Sequence, residues 1–343
     1  MKKLNLFDKF VFILNSLAAV ALLLSYLLPF VPPKTFPLLS VLSLGVPVLI
    51  ILNAVFGLYW LIKLKRQVLL SVLVLLLGFN YVTSLYKFSD ARESLGAADE
   101  LSVMSYNVRM FNAYEWSDDK AIPSKITALI KEKQPDVLCV QEYYVSATQL
   151  AEYYPYSYIK LKDEGSEFGS AIFSKFPIVE KYSVNFPHDG NNNAIYADIV
   201  REKDTIRVFN VHFQSLNIKP QIDELQKEDS KKLLGRIGQG FGMQQEQAKM
   251  MMEEVNASPY RTLVIGDFNN TAFSYIFDQV TEGDQFNDAF LEAGTGFGQT
   301  FNLNYFPLRI DFLLIDKKID VNSYKRFKVD YSDHYPIMAK LGL

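Results

Sequence analysis

Three long apolar stretches fill the start of this 343-residue chain and constrain everything that follows them. They run from Phe10 to Phe30, from about Leu38 to Ile62 and from Val68 to Tyr86, with no charged residue inside any of them. Each is long enough to cross a hydrocarbon core, which takes roughly 20 apolar residues. Lys2 and Lys3 ahead of the first stretch would also suit a secretory signal, but no small-residue cleavage site follows and two further spans do. The reading is three transmembrane α-helices, with residues 1–90 as a retained membrane anchor. Asn15, Asn53 and Asn80 interrupt the spans, and interhelical hydrogen bonds explain them better than a transport path.

Positive charge sets the expected orientation. Lys2, Lys3 and Lys9 precede the first span, Lys34 alone separates the first two, and Lys63, Lys65 and Arg66 lie between the second and third. The N-terminus and the 63–66 loop are therefore expected in the cytoplasm. After three crossings, everything beyond residue 90 falls on the extracytoplasmic side.

Beyond a polar linker, KFSDARESLGAADE with its core at 91–100, residues 101–343 have the pattern of a water-exposed α/β domain. Counted from beyond Glu93, the chain has a formal charge of −9, which argues against a domain that grips nucleic acid through many phosphates. The single cysteine, Cys139, sits in the apolar run VLCV and reads as a buried, inert thiol. Strands are expected at 101–107, 137–141, 170–173, 179–186, 195–200, 206–211 and 262–265. A helix through Ile126, Leu129 and Ile130 and a hairpin turn at 188–193 complete the first part. Residues 218–258 suggest helical pieces, divided by the glycines of GRIGQGFG, that could cover or narrow a cleft. Met243, Met250, Met251 and Met252 read as helix packing. Strands interleaved with helices and hairpins imply mixed sheets.

Polar residues recur where these strands end. They are Asn107 in SYNVRMFN, Glu142 in VLCVQEYY, His212 in VFNVHFQS, Asp267 and Asn269 in VIGDFNNT, Asp311 in RIDFLLID, and Asp333 and His334 in SDHYPI. Each alone has a plain explanation: a turn, a cap, a core histidine, or an Arg309–Asp311 ion pair on one strand face. Together they assemble the side chains that an α/β scaffold presents to one cleft. Oxygen ligands with few histidines favour Mg²⁺, with Mn²⁺ or Ca²⁺ as alternatives, over zinc. A phosphate ester resists attack through its own negative charge, so a cation, hydrogen-bond donors and a base are what its hydrolysis needs.

In this order the motifs SYNV, QE, NVH, GDFN, RID and SDH resemble the endonuclease/exonuclease/phosphatase superfamily, which includes deoxyribonuclease-like nucleases, sphingomyelinases and inositol phosphate phosphatases. The resemblance covers about residues 100–343. It implies a four-layer α/β sandwich of two mixed β-sheets flanked by helices, here preceded by the three membrane helices, and a metal-dependent hydrolysis of phosphate esters. On that pattern Glu142 is the principal metal ligand, helped by Asn107 and Asp333. Asp267 and Asn269 orient the nucleophile and the phosphate, His334 paired with Asp311 is the base, and His212 stands at the phosphate. The activities implied are those of a phosphodiesterase or endonuclease-like enzyme, acting on nucleic acid or a phospholipid head group, with a phosphomonoesterase or a noncatalytic binding module of the same fold as alternatives. No protein partner is implied.

Overall fold

A computed structural model describes residues 4–89, 100–187, 192–216, 229–303 and 306–343. The N-terminal segment, expected to be the membrane anchor, begins with α1 (Leu6–Ser25), followed by the short α2 (Pro37–Val41), a 3₁₀ turn at Leu42–Gly45 and α3 (Val46–Ile62). Then come α4 (Val68–Leu77) and α5 (Phe79–Leu85). Two stretches, Leu6–Phe30 and Pro37–Ile62, are long and apolar enough to cross a membrane.

The third expected span is not one helix. α4 and α5 are bent by 82° at Gly78, because the Tyr26 ring sits where a Cβ at that position would go. The Tyr26 hydroxyl donates to the Val74 carbonyl there. Asn15 and Asn53 do bond between helices: Asn15 donates to Ser71 and accepts from Trp60, and Asn53 donates to the Ala18 carbonyl. Asn80 is instead exposed.

After the membrane segment, β1 (Tyr86–Lys87) pairs at once with Gly296–Phe297 of the second part. Of the expected linker, residues 90–99 lie outside the described residues. The first half of the domain holds β2 (Glu100–Asn107), α6 (Ile122–Lys133), β3 (Val137–Tyr144), β4 (Tyr156–Leu161), β5 (Phe168–Ser174), β6 (Ile178–Asn185), β7 (Asn193–Arg201) and β8 (Asp204–His212). The second half holds α7 (Ser230–Asn256), β9 (Arg261–Asp267), α8 (Tyr275–Thr281), β10 (Phe286–Asp288), α9 (Ala289–Ala293) and β11 (Gly296–Phe297). β12 (Phe301–Leu303), β13 (Phe306–Leu308), β14 (Asp311–Asp316), β15 (Asp320–Arg326) and β16 (Ile337–Gly342) end the chain.

Two six-stranded sheets result, ordered β15-β16-β2-β3-β5-β4 and β10-β14-β9-β8-β7-β6. Only β2/β3 and β8/β9 are parallel pairs within them, so both sheets are mixed. Alternation along β3 shows why the sheets stack: Val137 and Cys139 face the other sheet, while Leu138 and Val140 face α6. On the far side Met251, Met252 and Val255 of α7 pack on Phe209, Val211 and Val264 of the second sheet. Burial on both faces explains the continuous apolar runs in these strands. The expected turn at 188–193 falls largely outside the described residues, although β6 and β7 pair antiparallel on either side of it.

Residues 230–256 form one helix and not two pieces. Two of the glycines expected to divide it allow close packing instead: a Cβ on Gly238 would stand 3.0 Å from Pro37 of the N-terminal segment, and one on Gly240 would stand 2.8 Å from Leu216, which follows β8. Val41, Leu216, Ile237 and Phe241 form a small apolar core in this contact, and Lys34 pairs with Glu246 at its edge. Packing against α2 stabilises a helical glycine that would cost roughly 1 kcal/mol relative to alanine in an exposed helix.

Candidate active site

Strand register brings the polar strand ends together. Parallel pairing sets His212 beside Asp267, and antiparallel pairing sets Asp311 on the other side of Asp267. In the facing sheet Asn107 lies opposite Gln141, next to Glu142. The loop before β16 then carries Asp333 and His334 back to the same point, where His334 bridges to Phe301.

Asp267 is fully buried at the centre. Asn107 donates its Nδ2 to Asp267 Oδ2 at 2.9 Å and to Glu142 Oε1 at 3.2 Å. Its Oδ1 accepts from the Arg109 backbone at 3.1 Å. The amide therefore presents a donor to the two carboxylates, and ligating a cation through Oδ1 would require the amide plane to turn over. His212 Nε2 lies 3.9 Å from both Glu142 and Asp267. His334 Nδ1 meets Asp311 at 2.9 Å, which leaves Nε2 directed at Asp267, 3.6 Å away. Asp311 thus pairs with His334; Arg309 pairs with Asp288 instead.

Two of these residues sit on left-handed backbone. Glu142 has φ 50°, at a break in register between Val140 and Tyr143, and Asn269 has φ 49°. Such conformations cost roughly 1–3 kcal/mol each in a non-glycine residue and persist where the surroundings impose them. The strand therefore ends at Asp267: Asn269 turns, donates its side chain to the Phe213 carbonyl at 2.9 Å and its backbone N–H to Asp267 at 2.7 Å. Phe268 points into the apolar layer below. Gly266 is required just before, with φ 144° and a Cβ position that would overlap the Val211 carbonyl.

The electrostatics follow from burial and crowding. Burial and the nearby Asp333 charge raise the Glu142 carboxyl, against the Asn107 hydrogen bond. Burial pushes Asp267 up to about 6, opposed by His334. Burial alone would lower His334, but Asp311 and Asp267 outweigh it and raise the imidazole to about 10.

Asp267, Asp311 and His334 form a group able to hold a metal ion. However, the His334–Asp311 bond already occupies the nitrogen and the carboxylate that ligation there would use. The half-buried carboxylate of Glu142, which lines the cleft with Asp333, offers oxygen donors of the type a hard divalent cation takes.

Several contributing residues have no motif of their own. Arg109 pairs with Asp333 at 3.3 Å and stacks on Trp116; its only sequence signal is its position two residues after Asn107. Ser332 fixes the last loop by donating to the Asn107 carbonyl. Thr300 accepts from the backbone of Ile310 and Asp311. Gln244 of α7 donates to the carbonyls of Gln214 and Asn269 and accepts from Asn270, so the segment between the NVH and GDFN motifs supports the site.

Residues 104–334 match the Endonuclease/Exonuclease/phosphatase family, and residues 8–85 match a Domain of unknown function (DUF8431). No curated protein matches significantly. Among solved structures, an endonuclease/exonuclease/phosphatase from Bacteroides vulgatus superposes with a TM-score of 0.56 at 17% identity, covering 71% of this chain and 99% of that one. A mannosyl-6-phosphatase from Bacteroides thetaiotaomicron gives 0.52 at 19% identity over 71% and 100% of the two chains. TDP2 from D. rerio, complexed with a single-strand DNA product, gives 0.53 at 15% identity over 71% and 99%.

Proposed function

The chain belongs to the endonuclease/exonuclease/phosphatase family and is a metal-dependent phosphoesterase, and on that premise we propose that Glu142, Asp267, His212, His334 and Asp311 hydrolyse a phosphate ester in the cleft between the two sheets. The observation that carries this reading is Asp267: it is fully buried, bonded to Asn107 and within 3.9 Å of both imidazoles.

Glu142 would hold a divalent cation, Mg²⁺ by its donor type, with Asp333 beside it and Asn107 joining if its amide turns over. When bound, the cation neutralises phosphate charge and counters the repulsion among the carboxylates. Asp267, poised near neutrality, orients water and accepts its proton, with Asn269 holding the turn that aims it. His334 carries a proton between Asp311 and Asp267 and donates to the phosphate oxygens as negative charge grows. This differs from the base role that the motifs alone imply for His334, and its support is the upward shift that the two carboxylates impose. His212 donates from the opposite side. The water oxygen forms a new bond to phosphorus, one P–O ester bond breaks, and the leaving alkoxide ends with the proton.

Purified full-length protein should hydrolyse bis(p-nitrophenyl) phosphate with Mg²⁺ or Mn²⁺ and stop on chelation. Glu142→Gln should lower kcat/KM by about 100-fold or more with the fold intact by circular dichroism. Turnover that survives both chelation and this substitution would sink the assignment.

A further inference from the structure

The membrane segment reaches into the catalytic cleft. The cleft, about 90 Å³ in volume, is lined by Glu142, Asn269, Asp333 and His334 on its polar side. Its apolar side includes Leu216 and Leu308 of the catalytic domain and Leu44 of the membrane segment. At roughly 30 Å³ per water, that volume takes a phosphate-sized group.

Leu44 lies in the 3₁₀ turn Leu42–Gly45. Leu42 and Gly45 of the same turn line a second cavity of about 740 Å³, walled almost wholly by apolar side chains of α1, the 27–31 segment after it and α3, with Leu39 of α2. Residues of one four-residue turn therefore line both the catalytic cleft, through Leu44, and the hydrocarbon-lined cavity, through Leu42 and Gly45. α2, just before the turn, buries Val41 toward α7 while Leu38 and Leu39 stay exposed, as a segment in the acyl region of a bilayer would. The close approach of Gly238 on α7 to Pro37 and the Lys34–Glu246 pair fix the domain in this position.

Resting on the phosphoesterase reading above, we propose that the substrate is a membrane phospholipid, with its phosphate at Glu142 and His334 and a hydrocarbon chain in the cavity beside the Leu42–Gly45 turn. The membrane segment is then part of the substrate site and not only a tether. Hydrolysis breaks one P–O ester bond of the head group by addition of water, with the proton passing to the leaving alkoxide through the residues already named. The −9 charge of the part beyond Glu93 disfavours a long polyanion.

Gly45 provides the test, because it lines the cavity and a Cβ there meets nothing within 4 Å: Gly45→Leu adds apolar bulk at the cavity wall and leaves the polar groups of the cleft unchanged. Full-length protein with Mg²⁺ would be assayed on phosphatidylglycerol and phosphatidylethanolamine vesicles and, separately, on soluble bis(p-nitrophenyl) phosphate. Gly45→Leu should cut lipid turnover at least 10-fold and change soluble-ester turnover less than 2-fold. A phosphatidylglycerol carrying a diazirine on its acyl chain should crosslink to residues 39–49 in wild type and at least 5-fold less in Gly45→Leu, whether or not turnover is seen. Hydrolysis of the soluble ester without lipid hydrolysis, or equal effects of Gly45→Leu on both, would overturn the lipid site and leave the phosphoesterase reading standing. Absence of turnover on every ester would remove that reading, and the crosslink would still decide the lipid site.

Discussion

His334 and Asp311 come from segments that the sequence does not visibly connect, and their 2.9 Å contact makes them one unit. The RID and SDH motifs named both residues, but the choice between an Arg309–Asp311 pair on one strand face and a histidine pair needed the register, which sends Arg309 to Asp288. Arg109, Thr300 and Gln244 were illegible for a related reason: they act through backbone carbonyls, amides or a partner far along the chain, and such contacts leave no local pattern. Because Asp311 works through the imidazole, loss of either residue should remove most of what the pair contributes. His334→Ala and Asp311→Asn should each lower kcat/KM about 100- to 1,000-fold, and the double variant should be little worse than the more severe single one. Losses that multiply in a double-mutant cycle on the soluble ester would show two independent groups instead.

Elements whose apolar period was strong were readable, and those shaped by a distant neighbour were not. The strand at 137–141 and the helix through Ile126 follow from burial on two faces or one. The glycines of α7 read as breaks because the surface that makes them favourable, Pro37 with Leu216, lies far away in sequence; the bend at Gly78 likewise depends on Tyr26. At the opposite end of the first sheet Asp136 ties three strands together. Its carboxylate accepts from the Ser102 backbone at 2.9 Å and hydroxyl at 2.6 Å, and from Lys175 at 3.0 Å. Burial would raise this carboxyl, but those bonds outweigh it and hold it below the ordinary 3.8. The stabilisation is thus fully present above pH 3.8 and disappears as pH falls through the lower folded value. Asp136→Asn should cost about 1–2 kcal/mol near neutrality, lowering the melting temperature by roughly 2–8 °C. The gap to wild type should be full above pH 3.8 and close progressively as the pH falls below it. A gap that persists unchanged at the acid end would mean the charge contributes nothing.

At the scale of the molecule, membrane segment and catalytic domain form one arrangement with distinct ends. Asp8, Tyr59 and Lys63 bond together at one end, and the Lys34–Glu246 pair and the catalytic domain mark the other. The third apolar segment starts beside the first end, meets Asn15 of α1 through Ser71, and reaches the Tyr26 carbonyl through Tyr81. It therefore runs along α1 toward the domain even though it breaks at Gly78, and we propose that it serves as a third passage, broken at that bend. On that proposal the positive-inside tendency of Lys63, Lys65 and Arg66 assigns their loop to the cytoplasm and the catalytic domain to the opposite side. Cysteine chemistry tests this cleanly, because the one native thiol, Cys139, is fully buried. Arg66→Cys and Lys203→Cys each introduce a thiol at an exposed position on one of the two sides. In intact cells a membrane-impermeant maleimide, given access to the outer face of the bilayer, should label Lys203→Cys at once and Arg66→Cys only after permeabilisation. The reverse pattern would invert the orientation and place the phosphoester cleft on the cytoplasmic leaflet; equal labelling of both sites in intact cells would rule out a membrane crossing between them.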